Sequence, residues 1–347
     1  MTETGPNRIA PLTPEREAEW ERFVATSPHA GVGHLLGWRD AVARTYRHTP
    51  HYLLAEAGGR MVGALPLFLI RHAILGRTLV TAPFLSHGGL CADADDAAAL
   101  LVDAARALRA RCRAQYLEIK GTGRAGYGLV LKDKYCTYTL ALDPDPAVVA
   151  RACERQARWA VRKAERSGLT VERGNHLVGE VAAILTQHMR DLGTPFHGET
   201  FYRNILGRFG HQAQVFAVQF RDQVIGGGLT VSFNRILSWV YGGCLTAHRD
   251  RATMSLLAWE IIRYGCAEGM SHLDFGRSRW DSGTALFKQQ WRARATPLYY
   301  EYDLAHGTSV PDMDPTNARF RLPIAAWKHL PVAVAKVVGP HLINGIP

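Results

Sequence analysis

The sequence lacks several patterns that define large classes of proteins. Its six cysteines form no C-x-x-C pair and no cluster with histidine, so we expect no metal site. The opening residues do not run from basic to apolar as a secretion signal does, which favours a reducing, cytoplasmic location with free thiols. The longest apolar stretch, residues 61–70, is too short to cross a bilayer and is followed by Arg71 and His72.

Acidic residues are in the minority. The 41 Lys and Arg residues outnumber the 31 Asp and Glu residues, giving a formal net charge of +10 at pH 7. This balance favours a polyanionic partner such as a nucleotide cofactor, tRNA, other nucleic acid or an anionic membrane surface, although a solvated basic face gives the same composition. A nucleic-acid-binding regulator is not favoured, because no helix-turn-helix pattern is present and aromatic residues are not interleaved through the basic stripe.

Strand and helix patterns alternate in both halves of the chain. At 347 residues the chain exceeds the usual size of one hydrophobic core, so we expect two domains. Each half contains a hairpin with a strand of small residues, 62–64 and 225–228. In each half a later helix leads into a short strand, 115–119 and 271–275. The sequence therefore predicts a mixed α/β fold in which one plan occurs twice.

Domain boundaries follow from the turn residues Asp-Pro-Asp-Pro at 143–146. We place an N-terminal domain at residues 1–145 and a C-terminal domain at residues 146–305. Residues 306–347 are predicted to form a C-terminal tail.

Two segments outside the predicted sheets carry a basic pattern. Residues 148–166 predict one long helix that opens the second domain. Its arginines repeat on one face, at Arg151, Arg155, Arg158, Arg162 and Arg166. Residues 322–346 mix apolar with basic side chains, a pattern that fits packing on the body of the protein or contact with a membrane interface.

The segment 272–291, HLDFGRSRWDSGTALFKQQW, is the most informative about function. A strand is predicted to end at Phe275, where Gly276 permits a turn that a side chain would obstruct. Arg277 and Ser278 then follow the carboxyl end of a strand, where α/β proteins commonly bind ligands.

The same segment continues into a predicted helix. Residues 281–284 can cap its start, and the helix carries Lys288 and Trp291. Free N–H groups at such a start, beside Arg277 and Lys288, can hold an anionic ligand. A capped helix with a surface salt bridge fits the same residues.

This arrangement resembles the C-terminal motif of FemAB-like acyltransferases, a group of the GNAT superfamily. It is most similar to the subset associated with exosortase and exopolysaccharide gene clusters. The residues that carry the resemblance are Asp274, Phe275, Gly276, Arg277, Ser278, Gly283, Phe287, Lys288 and Trp291. The basic run at 155–169 also resembles the family's basic helix before its second domain, and the resemblance extends from His34 to Tyr302.

The resemblance implies tandem GNAT-like domains, each a mixed, mostly antiparallel sheet flanked by helices. It implies transfer of an acyl or aminoacyl group to a small-molecule or envelope-precursor amine, in cell-envelope or exopolysaccharide metabolism. The implied co-substrate is acyl-CoA, an acyl-carrier protein or aminoacyl-tRNA, with no tightly bound cofactor. A tRNA-dependent peptidoglycan bridge aminoacyltransferase and a non-catalytic GNAT-fold binding subunit are the alternatives. Peripheral contact with the inner membrane and the oligomeric state are left open.

Two features depart from the relatives. tRNA-using members often carry a coiled-coil arm, and this sequence has no sustained heptads. The loop at 245–255 keeps Arg249 and Arg251 but has no glycine that would let the backbone approach a pyrophosphate closely. The standard CoA binding mode is thereby less favoured, and a carrier-bound or tRNA-bound donor gains support.

Three residues are candidates for catalysis. Direct attack by an amine needs deprotonation, a polarised carbonyl and alignment, and no covalent nucleophile. Asp274 is a candidate base, with pairing to Arg277 or a backbone amide as the alternative. His197 lies in a loop where relatives place acceptor contacts, and is expected to titrate near neutral pH unless it has no role. Tyr241 is expected to donate a hydrogen bond to the acyl oxygen or to pack in the core.

Donor binding is predicted at the small-residue strand, the arginine loop and the C-terminal motif. Three successive glycines at 226–228 indicate either close approach of a donor chain or a kinked strand edge. The predicted donor-binding residues are Gly227, Gly228, Arg249, Arg251, Arg277, Ser278, Lys288 and Trp291. Residues 86–89, Ser-His-Gly-Gly, leave space after a strand, where the relatives place one wall of the acceptor cleft.

Overall fold

Strands and helices alternate along the described chain, which confirms the predicted α/β class. The computed structural model describes residues 8–73, 75–311, 317 and 320–346. Its strands are β1 (Arg8–Pro11), β2 (Thr49–Ala57), β3 (Arg60–His72), β4 (Gly76–Thr81), β5 (Cys91–Ala92), β6 (Tyr116–Gly121), β7 (Val130–Ala141), β8 (Leu169–Arg173), β9 (Ala213–Phe220), β10 (Gln223–Phe233), β11 (Ile236–Cys244), β12 (His272–Arg279) and β13 (Arg294–Leu304). Its α-helices are α1 (Glu17–Thr26), α2 (Leu36–Tyr46), α3 (Asp95–Arg111), α4 (Pro146–Ala152), α5 (Arg155–Arg166), α6 (Val178–Leu192), α7 (Glu199–Phe209), α8 (Thr253–Ala267), α9 (Gly283–Gln289), α10 (Arg321–Lys328) and α11 (Val332–Ile343).

Residue contacts divide the chain into two compact units. The first unit contains the described residues up to Tyr135, then Pro297–Pro311 and the last residues from Asn344. The second unit contains Cys136–Thr296 and the described residues between Pro311 and Asn344. The chain therefore leaves the first unit within β7 and returns to it with β13. The sequence-based boundaries at 145 and 305 differ from this division at β13 and stay a prediction.

The sheet of the first unit has the strand order β1–β2–β3–β4–β6–β13, with β5 paired to β3. Its neighbouring strands are antiparallel except β4 and β6, which are parallel. Parallel neighbours need a crossover connection, and α3 supplies it. Leu101, Val102 and Leu108 of α3 are buried in one cluster with residues of β2 and β3. The acidic first turn and basic last turn of α3 complement its dipole.

The second unit repeats this plan with the order β7–β12–β11–β10–β9–β8. The pairs from β8 to β11 are antiparallel, and β11 and β12 are parallel, with α8 as the crossover. A Cβ on Gly227 would meet Val181 of α6, and a Cβ on Gly226 would meet Thr253 of α8. Successive strand residues point to opposite faces, so α6 and α8 cover opposite faces of this sheet. Helix α5 packs on α8, whereas α10 and α11 pack on α6.

Two sequence-based predictions about elements are wrong. The helix expected over 148–166 is two helices, because α4 ends at Ala152 and α5 begins at Arg155. Arg158 stabilises the break, since its Nη1 donates to the carbonyl oxygens of Ala150, Arg151 and Cys153 and satisfies the end of α4. The strand expected to end at Phe275 continues as β12 to Arg279, with Gly276 inside it at φ 73°.

The predicted tail segment forms α10 and α11, which are held against the second unit. Arg190 of α6 donates hydrogen bonds to the carbonyl oxygens of Lys328 and Leu330, at 3.3 and 3.2 Å. None of the helices in the described part of the chain combines the length and the apolar character that a membrane crossing requires.

Candidate active site

The parallel strands β11 and β12 separate soon after they begin. Their ladder joins only Ile236–Ser238 with His272–Asp274, although β11 runs on to Cys244 and β12 to Arg279. Backbone N–H and C=O groups on the separating edges need other partners, because buried polar backbone groups are almost always hydrogen bonded. The partners are side chains of the predicted motif and of β11 itself.

On β11 the capping side chain is Trp239. A β-bulge shifts the register with β10 between Leu229 and Thr230, so that Val240 is the extra residue of β11. The indole N–H of Trp239 donates to the carbonyl oxygen of Tyr241 at 2.8 Å. This bond is local to the bulge that β11 forms against β10.

On β12 the capping side chain at the kink is Asp274. Its Oδ1 accepts the N–H of Gly276 at 2.8 Å and the hydroxyl of Thr137 on β7 at 2.6 Å. The carboxylate is buried, and it fixes the backbone just where Gly276 adopts its positive φ. Asp274 thus makes the backbone-amide contact that the sequence left open, and its role as a base stays a prediction.

Lys288 completes the kink from α9. Ser282 caps this helix by accepting the N–H of Ala285 at 3.2 Å. The buried Lys288 Nζ donates to the carbonyl oxygens of Gly276 and Arg277, at 2.7 and 2.9 Å. Burial lowers the pKa of Lys288 to about 8. Two of the three ammonium hydrogens are therefore used to hold β12.

Arg277 and Ser278 lie beside this kink with different exposure. Arg277 is exposed, whereas Ser278 is buried. Ser278 Oγ has no hydrogen-bond partner among the residues that the structure describes. The hydroxyl of Tyr52 in the first unit shares this property, so the lack of a partner does not by itself mark a ligand site. The motif thus brings Asp274, Arg277, Ser278 and Lys288 together around Gly276.

Trp291 does not join this cluster. It is only 2% exposed and belongs to the hydrophobic core of the second unit, where its ring contacts Phe287. Its carbonyl oxygen faces the thiol of Cys153 at 3.7 Å. At this depth the indole lies among apolar side chains of the chain itself, and the prediction that Trp291 contacts a donor stays a prediction.

The prediction that His197 titrates near neutral pH is wrong. Its imidazole is buried among aromatic rings, with ring centroids 4.6 Å from Phe201, 4.9 Å from Phe196 and 5.2 Å from Tyr241. Burial lowers the pKa of His197 to about 3, so the ring is neutral at physiological pH. Tyr241 is buried in the same cluster, which fits the packing role that the sequence left open for it.

The glycines of β10 allow close approach of the chain's own atoms. A Cβ on Gly227 would lie 2.7 Å from Val181 Cγ2 and from the Phe216 carbonyl oxygen. A Cβ on Gly228 would lie 2.7 Å from the Trp239 indole nitrogen. Helix packing therefore accounts for these residues without a ligand, and their role in donor binding stays a prediction.

The arginine loop precedes α8 as a short 3₁₀ turn over Thr246–Arg251. Ala252 follows with φ 60°, in the left-handed region that glycine would favour. The Arg251 guanidinium lies 4.2 Å from the ring centroid of Phe220, so this arginine is committed to a cation–π contact. Arg249 is exposed on the same turn and has no ion pair among the described residues.

The first unit contains a cavity that sequence reasoning largely missed. It has a volume of about 240 Å³ and lies between the start of α3, residues 87–90 and the loop 121–127. Its polar lining residues are His29, His87, Asp93, Asp95, Thr122, Arg124 and Tyr127. The prediction of an acceptor wall at 86–89 points to this place. The additional signal was the run of glycines at Gly121, Gly123, Gly126 and Gly128.

A buried thiol and imidazole lie side by side in the first unit. Cys91 Sγ is 3.2 Å from His34 Nε2. His34 Nδ1 accepts the N–H of Gly31, so Nε2 carries the hydrogen and also donates it to the Gly89 carbonyl oxygen at 2.8 Å. This ring nitrogen cannot take a proton from the thiol, and burial raises the pKa of Cys91 to about 12. Among the described residues, no group of three or more His, Cys, Asp or Glu side chains is placed to hold a metal ion.

Residues 151–296 match the family model of the acetyltransferase (GNAT) domain. The chain is similar to the structure of FemX, with 14% identity and a TM-score of 0.66 over 84% of this chain and 96% of that one. It is similar to a tandem GNAT protein from the clavulanic acid biosynthesis pathway, with 15% identity and a TM-score of 0.57 over 88% and 100%. It is also similar to L-PGS from Bacillus licheniformis, with 12% identity and a TM-score of 0.53 over 94% and 97%. At these identities the similarity shows the fold, and no curated protein sequence matches the chain.

Proposed function

We propose that the chain is an N-acyltransferase or aminoacyltransferase that forms an amide on an amine, because residues 151–296 match the acetyltransferase (GNAT) domain and the chain shares the fold of FemX and of a tandem GNAT protein. The acceptor belongs to cell-envelope or exopolysaccharide metabolism. The observation that carries the proposal is the separated strand pair β11–β12, with the cluster around Gly276 at its open end.

The separated strands suit an extended donor. An acyl or aminoacyl chain lying between β11 and β12 has backbone polar groups on both sides, as a strand in a sheet has. Exposed Arg277 supplies a cation for the anionic part of the donor, and the unpaired Ser278 hydroxyl supplies a hydrogen bond. Lys288 and Asp274 act through the backbone, because they hold the kink that aims Arg277 and Ser278.

The reaction needs only alignment and one proton transfer. The amine lone pair adds to the donor carbonyl, the C–N bond forms, and the bond to the carrier oxygen or sulfur breaks with the amine proton passing to the leaving group. Besides holding the kink, Asp274 is proposed to take this proton from the amine and return it to the leaving group, and Tyr241 is the proposed hydrogen-bond donor to the acyl oxygen. Neutral His197 is not part of this proposal, because its pKa near 3 makes it a weak base at neutral pH.

The proposed donors are acyl-CoA, an acyl-carrier protein and aminoacyl-tRNA. The 3₁₀ turn with exposed Arg249 offers a cation but no glycine for close approach to a pyrophosphate. Helix α5 exposes Arg155, Arg162 and Arg166 around an exposed Trp159, a surface that suits a large polyanionic carrier. These two features favour a donor attached to a carrier protein or to tRNA, the second being the donor of the peptidoglycan bridge alternative.

The acceptor amine is proposed to bind in the cavity of the first unit. Asp93 and Asp95 line it and can pair with a protonated amine, and Arg124 can pair with an anionic group elsewhere on the acceptor. A cavity of about 240 Å³ takes one sugar-sized or amino-acid-sized group. The rest of a larger envelope precursor would lie outside it.

A thermal-shift screen of acyl-CoAs, acyl-carrier proteins and charged tRNA tests the proposal, with intact-mass detection of the transferred group. A donor that binds only the folded protein raises its Tm. We expect Arg277→Ala to weaken the binding of that donor by about tenfold, since a charge-assisted hydrogen bond contributes about 1.5–3 kcal/mol. Arg263→Ala, an exposed arginine of α8, is the matched control and should bind normally.

Each outcome has a separate meaning. Stabilisation by charged tRNA alone would favour the peptidoglycan bridge activity over the other donors. Folded protein that responds to no donor would contradict the enzyme and support the non-catalytic binding subunit. Equal binding by wild type and Arg277→Ala would remove Arg277 from the donor site.

A further inference from the structure

The two helices at the end of the described chain expose apolar side chains. Leu322 at the start of α10 is 83% exposed, and Val337 on α11 is 66% exposed. Val334 and Val338 are exposed as well. We call Leu322, Val334, Val337 and Val338 the tail face. Several exposed apolar side chains on neighbouring segments of a chain can mark an interaction site.

The orientation of α11 is fixed by its opposite side. Val334, Val337 and Val338 follow the i, i+3, i+4 spacing of one helix face. Ala335, Gly339 and Ile343 are buried on the other. A Cβ on Gly339 would lie 3.1 Å from the Phe196 carbonyl oxygen, so the helix backbone approaches the second unit closely. The valines are therefore presented outward by packing.

The charged side chains of the two tail helices themselves all have one sign. Residues 320–346 contain no Asp or Glu. They contain Arg321, Lys328 and Lys336, which are exposed. None of the three has an ion pair among the residues that the structure describes. A partner that covers this face must accept apolar side chains and balance three cations.

We propose that the tail face docks on the surface of an anionic lipid bilayer. An amphipathic helix with apolar residues on one side and basic residues beside them binds in the plane of a membrane interface, held by apolar burial and by anionic headgroups. Helix α11 has 12 residues and therefore lies on the bilayer without crossing it. Such docking would bring the protein to lipid-borne substrates, and it goes beyond the proposed transferase activity.

The positive charges of the tail helices favour a membrane over a second copy of the chain as the partner of the tail face. A two-fold interface through the tail face would bring identical cations of the two copies close together, which is unfavourable without acidic partners. A soluble polyanion would balance the cations and leave the valines in water. An anionic bilayer supplies both kinds of contact.

Helix α5 provides a matched control. It is also basic, but it packs on α8, on the opposite face of the second unit's sheet from α6 and the tail helices. A flat membrane that touches the tail face does not reach a helix on the far side of the sheet. Arg162 on α5 is exposed and can be reversed in charge just as Lys336 can.

Co-sedimentation with vesicles tests the proposal without any donor or acceptor, so its outcome is independent of the proposed activity. We expect the full chain to bind vesicles of phosphatidylcholine with phosphatidylglycerol, and not vesicles of phosphatidylcholine alone. Val337→Gln should weaken binding about tenfold through lost apolar burial. Lys336→Glu should weaken it about thirtyfold, because two units of charge change near the surface. Arg162→Glu should leave binding within twofold.

Three results would overturn the proposal. They are no binding of the wild type to anionic vesicles, an equal loss in Arg162→Glu and Lys336→Glu, and unchanged binding in Val337→Gln. Sedimentation velocity supplies the remaining check, since a dimer that Val337→Gln dissociates would show that a second copy covers the face. Val337, Lys336 and Arg162 are all exposed, so thermal melts of the three variants should match the wild type.

Discussion

The two units contain the same strand plan and complete it differently. Each has a short parallel pair joined by a crossover helix, β4 with β6 and β11 with β12. In the first unit the chain fills the place where the strands separate. The N–H of Lys120 donates to the Thr81 hydroxyl at 2.9 Å, and the N–H of Gly88 donates to the Lys120 carbonyl oxygen at 3.2 Å. In the second unit single side chains cap the separating strands.

A glycine-rich loop shows the same difference. In the first unit the N–H groups of Ala125 and Gly126 point at a carboxylate of the same chain, that of buried Glu301 on β13. Paired backbone N–H groups of this kind otherwise form anion-binding sites. At this loop the first unit therefore satisfies paired backbone N–H groups with a carboxylate of its own chain. The two units share the strand plan and differ in which groups occupy the place where the parallel strands separate.

The largest expected effect is a loss of stability from a substitution in the first unit, where residues 88–89 pack against β6. Gly89→Ala would put a Cβ 2.5 Å from the Lys120 carbonyl oxygen, which is backbone and cannot turn away. We expect a loss of about 3 kcal/mol of stability from this overpacking, read as a lowered Tm. Gly123→Ala is the control, because its Cβ meets nothing within 4 Å. Equal melting of the two variants would show that the loop and β6 are not tightly packed.

A smaller loss of stability is expected when Lys288, which holds the kink of β12 in the second unit, is replaced. Lys288→Met keeps the apolar stem but leaves the carbonyl oxygens of Gly276 and Arg277 without their donor. We expect a loss of about 2 kcal/mol, since each unsatisfied buried group costs about 1–3 kcal/mol and relaxation recovers part of it. Arg277→Ala, an exposed neighbour, should change stability by less than about 0.5 kcal/mol. Urea unfolding measures both, and a stable Lys288→Met would mean that the kink does not depend on the ammonium.

The smallest effect concerns acid sensitivity, which the buried histidines give to both units. Burial lowers the pKa of His197 to about 3 and that of His34 to about 4. Because these folded-state values lie below 6.5, the unfolded chain binds more protons below pH 6.5, and stability falls as the pH falls from 6.5 towards 3. His197→Phe removes one such group and preserves the aromatic packing.

When the pH falls from 7.5 to 5.5, we therefore expect the free energy of unfolding of His197→Phe to decrease by about 1 kcal/mol less than that of the wild type. Urea unfolding at the two pH values gives the comparison. Identical losses in both proteins would show that His197 is not buried in its neutral form.

Much of the fold follows from local patterns. The hairpins β2–β3 and β9–β10–β11 have clear turns, and α3 has a strong helical composition. The break between α4 and α5 does not follow, because Cys153 and Glu154 give no stop signal and the end of α4 is satisfied by Arg158 from the next helix. Continuation of β12 through Gly276 was equally hidden, since Lys288, twelve residues away, holds the kink.

The candidate site was predictable in its centre and not at its edges. The motif that contains Asp274, Arg277, Ser278 and Lys288 lies around one kink, as its compact spacing indicates. The burial of His197 and Trp291 was not predictable, because aromatic side chains with a polar atom suit both a core and a ligand site, and only packing decides between them. The cavity of the first unit depends on residues from distant segments, which no local pattern brings together.

The return of the chain to the first unit with β13 has a consequence during synthesis. Strand β6 is complete at Gly121, but its partner β13 begins only at Arg294. At 5–20 residues per second the ribosome needs roughly 10–35 s to supply it. Throughout that interval β6 is an open edge on the nascent chain. Glu118 and Lys120 are buried once β13 has paired with β6. Before that, their charges would disfavour pairing of this edge with a strand of another chain.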